Sequence, residues 1–312
     1  MFERLPTVPR SQELVDRAFR RSSRSEKGAK YQESMVRIAG NMLSDNLANL
    51  IRKFPSLERL PPFYRELLDV MVGMDKMRIS LARVSWASKQ VGQISREHLR
   101  KMRSAEDKIS VRKKAFGRMA SVLRSVEGDL FYLGEARDRL RKLPTLDLDL
   151  PTIIIAGYPN VGKSSFLARV TGARPQVAAY PFTTQGIIVG HMARGNLRYQ
   201  VLDTPGLLDR PLFDRNEIEL QAMAALRHLQ GVVIFLVDPS GHCGYPLEEQ
   251  LDLLDSLKGW IQLPVLDVYN KCDITEGVKR GLSISTLTGE GMDLAVEGAI
   301  ELIPSSVSLS SE

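Results

Sequence analysis

The segment Gly157-Tyr158-Pro159-Asn160-Val161-Gly162-Lys163-Ser164 fits a Gly-x-x-x-x-Gly-Lys-Ser pattern, and its residue types suit a polyphosphate. Glycines let backbone N–H groups close around phosphate oxygens, the Lys163 ammonium reaches the β- and γ-phosphates, and the Ser164 hydroxyl is a ligand for Mg²⁺. Ser165 is placed to add a contact to the α-phosphate. Three further segments follow in order: Thr183-Thr184, Asp203-Thr204-Pro205-Gly206 and Asn270-Lys271-Cys272-Asp273. Asp203 suits a carboxylate that holds Mg²⁺ through a water, and Gly206 offers an N–H to the γ-phosphate. Thr184, with Thr183 as the alternate, brings a hydroxyl to the metal and an N–H to the same phosphate.

The last segment selects the base. A carboxylate at Asp273 accepts from both the ring N–H and the exocyclic amine of guanine, a pair that adenine does not offer. Asn270 is expected to tie this loop to the phosphate loop, and Lys271 to cover the purine face with its alkyl stem. Ser285-Thr286 is expected to present a backbone N–H to the guanine carbonyl oxygen. The ligand expected is therefore GTP or GDP with Mg²⁺. Leu207 stands where many GTPases carry the glutamine that orients the attacking water. Hydrolysis then needs another device, and Asn160 is positioned to help hold a potassium ion against the phosphates. The catalytic set expected is Asn160, Lys163, Thr184 and Gly206, with slow intrinsic turnover.

These groups need a scaffold that brings them to one place. From Thr152 onward the hydrophobic period keeps changing. Strands are expected at Thr152–Ala156, Gly186–Met192, Arg198–Asp203, Val232–Val237, Val265–Tyr269 and Leu282–Ser285, with a hairpin turn at Arg194-Gly195-Asn196. Helices are expected at Ser164–Val170, Asn216–Leu229, Leu247–Leu257 and from Met292 to about Leu302. This alternation implies an α/β fold, a P-loop domain with a mostly parallel sheet whose ligand lies beyond the carboxyl ends of the strands. Before it, Ser11 to Leu143 reads as helix almost throughout, in segments near Ala29–Phe54, from Pro62, Asp75–Lys101 and Ser104–Leu143. That pattern predicts an all-α bundle of long antiparallel helices. The boundaries expected are 1–145 for the bundle, 146–303 for the P-loop domain and 304–312 for a disordered tail.

Charge divides the same way. Residues 1–150 carry 31 lysines and arginines against 19 acidic residues, whereas 151–312 carry 12 against 18. A basic half of this kind suits a polyanion, with nucleic acid the first candidate and solvated helix faces the alternative. The contact segments expected are Arg17–Arg24, Arg96–Arg103 and Arg112–Arg118. No apolar run is long enough to span a membrane and no apolar signal segment follows Met1, so neither membrane nor secretion is expected. Two cysteines, Cys243 and Cys272, suit a reducing cytoplasm. His242 beside Cys243 lacks a second ligand pair, so no zinc site is expected there. His98 reads as a surface residue, and Trp86 as core.

Around these motifs the chain resembles a known family. Gly157 to Phe166, Phe182-Thr183-Thr184, Asp203 to Pro211 and the Asn270-Lys271-x-Asp273 segment resemble the Obg branch of translation-associated GTPases. Within that branch, Arg215-Asn216 leading into Glu219-x-Gln221, Asp238-Pro239-Ser240-x-x-Cys243-Gly244-Tyr245, and Leu60 to Val70 are similar to the nucleolar GTP-binding protein 1 family. The resemblance implies a GTPase acting in assembly of the large ribosomal subunit, its helical domain against rRNA and its nucleotide state gating release. Stimulation by potassium or by the ribosomal particle, and a monomer away from the ribosome, are also expected. Eukaryotic members carry long C-terminal extensions, so an archaeal, cytoplasmic member is expected. Two rivals are a signalling GTPase whose bundle is a protein-interaction module, and a GTPase coupled to tRNA modification, for which no methyl-donor or flavin site is legible. Thr286 departs from the small residue that the family's base-side loop usually carries.

Overall fold

The computed structural model describes residues 2–304 except 26–27, 144, 172–175, 179, 181–185, 212–213 and 276–280. Six helices come first: α1 (Ser11–Ser22), α2 (Tyr31–Lys53), α3 (Pro62–Val72), α4 (Met74–Met102), α5 (Lys108–Ser125) and α6 (Glu127–Leu140). The α/β part follows as β1 (Thr152–Ala156), α7 (Lys163–Val170), β2 (Gln176–Ala178), β3 (Ile187–Arg194), β4 (Leu197–Asp203), α8 (Glu217–Ala224), β5 (Gly231–Val237), α9 (Leu247–Trp260), β6 (Val265–Tyr269), β7 (Leu282–Ser283) and α10 (Met292–Glu301). Contacts group the chain into two units, one of Met1–Leu60 with Met71–Arg141 and one of Pro61–Val70 with Lys142–Glu312.

In the helical unit, apolar residues three and four apart form the buried faces of α2 (Met35, Val36, Ala39, Leu43, Leu47) and α4 (Val84, Ala87, Val91, Ile94). The two helices approach closely because small residues line their seam. Ser44 Oγ donates to the Ser88 carbonyl at 3.1 Å and Ser88 Oγ returns a bond to the Ser44 carbonyl at 2.9 Å. A Cβ at Gly40 would lie 2.5 Å from Ser95 Cβ, so the site has no space for one. Gly40→Val is therefore expected to cost about 1–3 kcal/mol by overpacking. A urea midpoint equal to that of the parent chain would show that the helices part without strain. Asp107 caps α5, accepting from Ser110 N at 3.0 Å, and Phe19 of α1 stacks on Phe116 at 4.1 Å between centroids.

Two expectations are corrected here. His98 is buried, with its Nδ1 2.8 Å from the Ile94 carbonyl oxygen, because it falls on the inward face of α4 seven residues beyond Val91. Trp86 is 49% exposed, since it lies on the opposite face from Val84 and Ala87. A third result concerns α3. Sequence grouped Leu60 to Val70 with the bundle, yet Pro61–Val70 groups with the α/β unit. Tyr64 Oη binds both the Leu146 N–H at 2.9 Å and the Leu146 carbonyl at 3.2 Å. Glu66 pairs with Arg227 and with His228, the latter at 3.2 Å. Apolar periodicity marks the helix but not the surface it packs on.

The α/β unit has one seven-stranded sheet in the order β2-β3-β4-β1-β5-β6-β7. Strands β4, β1, β5, β6 and β7 run parallel, while β2–β3 and β3–β4 pair antiparallel. The apolar runs Thr152–Ala156 and Gly231–Val237 are buried at every position, as central parallel strands require. The hairpin turns after the Arg194–Leu197 pair. Strand β2 was not expected, because three residues are too few to show a period. The helix expected through Leu229 is α8 followed by a tighter 3₁₀ turn at Ala225–His228. No helix among the described residues is long and apolar enough to cross a membrane.

Candidate nucleotide site

Parallel pairing places the ends of β1, β4, β5, β6 and β7 side by side, and the motif loops leave from those ends. Ile155 is in register with Asp203, Val237 with Tyr269, and Tyr269 with Ser283. The loop after β1 wraps the start of α7. Gly157 and Gly162 have φ of +127° and +108°, which disfavours any residue with a Cβ. At both there is also no space, since a Cβ would meet the Leu236 carbonyl oxygen at Gly157 and the Asn270 side chain at Gly162. Asn160, at φ +62°, is exposed at the loop's tip. Beside this loop lies a cavity of about 550 Å³ lined by Pro159, Asn160, Gly162, Lys163, Ser164, Ser165, Pro205, Gly206 and Asp209.

Lys163 is buried, and its Nζ donates to the carbonyls of Gly157 and Tyr158 at 2.8 Å each. Burial pushes its pKa down, opposed by the carboxylates of Asp209 and Asp203. Ser164 Oγ donates to Asp203 Oδ2 at 2.7 Å. Asp203 is fully buried, its Oδ1 has no partner among the described residues, and burial raises its pKa against the Ser164 bond and the Lys163 charge. A hydroxyl beside an unpartnered buried carboxylate oxygen is a donor set suited to a hard cation and its waters. Tyr158 and Val161 are buried in the loop's inner side, and the Tyr158 ring packs on Tyr245 at 4.4 Å.

Beyond β6 and β7 the side chains interlock. Asn270 Nδ2 donates to the Val161 carbonyl at 2.7 Å and to Thr286 Oγ1 at 3.0 Å, and its Oδ1 accepts from Thr286 N at 2.9 Å. Thr286 thus uses its hydroxyl in the loop, where a smaller residue without one could not. Ser285 Oγ donates to Asp273 Oδ1 at 2.5 Å and accepts from Leu287 N and Thr288 N. Arg169 of α7 donates through Nε to the Thr286 carbonyl at 2.7 Å. Lys271, at φ +65°, directs Nζ to Asp238 Oδ2 at 2.6 Å.

The sequence reading assigned no site role to Asp238 or Gln250, and placed Asp209 and Arg215 within a segment, Leu207–Arg215, expected to report the γ-phosphate. Asp238 is fully buried at the end of β5, and Gln250 of α9 brackets it, accepting from Asp238 N at 2.7 Å and donating to its carbonyl at 3.0 Å. The Lys271 hydrogen bond helps hold its pKa below the usual carboxylate range against the opposing effect of burial. A charged residue directly after a wholly apolar strand was the available signal. Leu207 is buried, so no side chain from that position reaches the cavity. Thr183 and Thr184 lie outside the described residues.

This fold and site define a P-loop GTPase domain. One family model, the NOG1 N-terminal helical domain, matches residues 2–147, and a second, Nucleolar GTP-binding protein 1, matches 217–273. An uncharacterised protein of Methanocaldococcus jannaschii is 39% identical over 290 residues, covering 88% of this chain and 81% of that protein. Nucleolar GTP-binding protein 1 of Caenorhabditis elegans is 35% identical, covering 93% of this chain and 47% of the relative; for that of Arabidopsis thaliana the figures are 37%, 88% and 43%. The chain belongs to the nucleolar GTP-binding protein 1 family. It spans less than half the length of those two eukaryotic relatives. A crystal structure from Plasmodium falciparum of a protein bearing the family name is 36% identical over 51% of this chain and 89% of that one, with a TM-score of 0.45.

Proposed function

We propose that the chain binds GTP and GDP and hydrolyses GTP slowly, and that its basic helical unit binds rRNA of the large ribosomal subunit precursor. The observation that supports the nucleotide reading best is the convergence of Lys163, the Ser164–Asp203 pair, Gly206 and the Asn270–Asp273–Ser285 cluster at the carboxyl end of one sheet. Ser164 and Asp203, with Thr184 or Thr183, would hold Mg²⁺, which supplies positive charge beside the β- and γ-phosphates. Lys163 screens the same oxygens, Gly157 to Ser165 supply N–H groups around them, and Asp273 reads guanine while Lys271, steadied by Asp238, covers its face. Asn160, on the cavity wall, is the proposed potassium ligand.

The RNA reading is supported by exposed cations on three helices: Arg17, Arg20, Arg21 and Arg24; Arg96, Arg100, Lys101 and Arg103; and Lys113, Lys114 and Arg118. Arg112 is half-buried against Met35 and is a poorer contact residue. Two free thiols, Cys243 and Cys272, fit a reducing cytoplasm. The test is phosphate release from GTP with Mg²⁺ in potassium against sodium chloride. Hydrolysis several-fold faster in potassium is expected; equal rates exclude the Asn160 cation, and no release in either salt, alone or with ribosomal particles, excludes the enzyme. Nucleotide-dependent co-sedimentation with large-subunit precursors supports assembly, whereas its absence returns the bundle to a protein-interaction role.

A further inference from the structure

A carboxylate lies among the phosphate-binding groups. Asp209 lines the cavity with Lys163 and Gly206, and its Oδ2 accepts from the Gly206 N–H at 2.6 Å. That N–H is the one read above as the γ-phosphate donor, so an anionic side chain already satisfies it.

Six residues on, Arg215 makes only long contacts among the described residues. Its side chain is 1% exposed, and among the described residues the carboxylate oxygen it pairs with, Asp209 Oδ1, is 3.8 Å from its Nη2. Its bonds to the carbonyls of Gly206 and Arg210 are both long, at 3.4 Å, and its buried Nε has no partner among the described residues. A guanidinium has five N–H donors in a rigid fork, and burying it with weak acceptors is costly unless a better anion arrives. Burial, then the Arg210 charge, lowers its pKa, in keeping with that environment. Leu207, close by in the chain, is buried and brings no polar group.

We infer that Asp209 and Arg215 form a γ-phosphate discriminator: Asp209 holds the Gly206 N–H in its place until a γ-phosphate displaces it, and Arg215 then pairs with that phosphate. A phosphate oxygen and a carboxylate oxygen at one N–H compete for it, and their like charges repel at that separation. GDP lacks the competing group and leaves the Asp209 bond intact. The inference rests on the nucleotide reading above and adds the residues by which the site tells triphosphate from diphosphate.

The experiment measures the affinities of the full chain for fluorescent GDP and for the non-hydrolysable triphosphate GMPPNP, both with Mg²⁺. Asp209→Asn keeps the shape and halves the strength of the competing hydrogen bond, so GMPPNP is expected to bind about 5–10-fold tighter with GDP nearly unchanged. Arg215→Ala is expected to weaken GMPPNP about 10–100-fold while leaving GDP within about threefold, and Arg215→Lys to recover part of the loss. Equal shifts for both nucleotides in Arg215→Ala, or an unchanged ratio in Asp209→Asn, would mean that the pair only braces the loop, and the inference fails. If Arg215→Ala does not fold, the Asp209→Asn ratio decides alone. Failure of the parent chain to bind GDP would overturn the nucleotide reading itself, a result the GDP measurement separates from the others.

Discussion

Replacing Asp273 by Asn is expected to weaken GDP binding by about 10²–10⁴-fold and to create binding of xanthosine diphosphate. Guanine presents two donors, the ring N–H and the exocyclic amine, to an acceptor-only carboxylate, and each charge-assisted bond is worth about 1.5–3 kcal/mol. Asparagine keeps one oxygen but turns an NH₂ group toward the guanine amine, so two donors face each other. Xanthine has an oxygen where guanine has the amine, and the same NH₂ group then finds an acceptor. The fold should survive, because Asp273 is exposed and Ser285 Oγ, which donates to its Oδ1 at 2.5 Å, keeps an oxygen to bind. Titration of the parent and variant with both diphosphates reads the exchange. Equal GDP affinity in the two proteins would show that Asp273 does not read the base.

The second large effect is expected on RNA. Arg17, Arg20 and Arg24 are exposed on and just beyond one face of α1, where with Arg21, Glu13, Asp16 and Met42 they line a cavity of about 490 Å³. Each phosphate contact releases counterions, so the logarithm of affinity falls with the logarithm of salt by nearly one unit per contact. Changing all three to Glu should reduce that slope by about 2–3 and lower affinity for a structured rRNA fragment about 10²–10³-fold at moderate salt. GDP affinity should not move. Filter binding across a salt series makes the comparison, and an unchanged slope would remove α1 from the interface. Some loss of helix stability is expected, since Glu replaces Arg20 in the last turn, where the helix dipole favours cations. A melting curve shows whether that loss is confined to a few degrees.

Much of the site was legible because its chemistry is local. The phosphate loop carries its own instructions: glycines where φ is positive, a lysine and a serine at the helix start. Strands β1 and β6 have the bounds read from sequence, each starting directly after a proline, Pro151 and Pro264, which cannot donate to the ladder. The side-chain environments were harder to read. Trp86 and His98 exchanged places between core and surface because packing against the neighbouring helices decides which face of α4 is inward, and the type of a single residue does not set that phase.

By itself the sequence determined the order of the motifs, the nucleotide proposed for them and the division into a basic helical part and an α/β part. Each of these follows from residue type and short-range spacing. Only the tertiary structure decided that Pro61–Val70 of α3 groups with the α/β unit, that Asp238 and Gln250 steady Lys271, and that Asp209 and Arg215 meet Gly206. Those contacts depend on which strand ends and helix faces come to lie side by side, and on which polar atoms burial leaves without water. Spacing along the chain specifies neither.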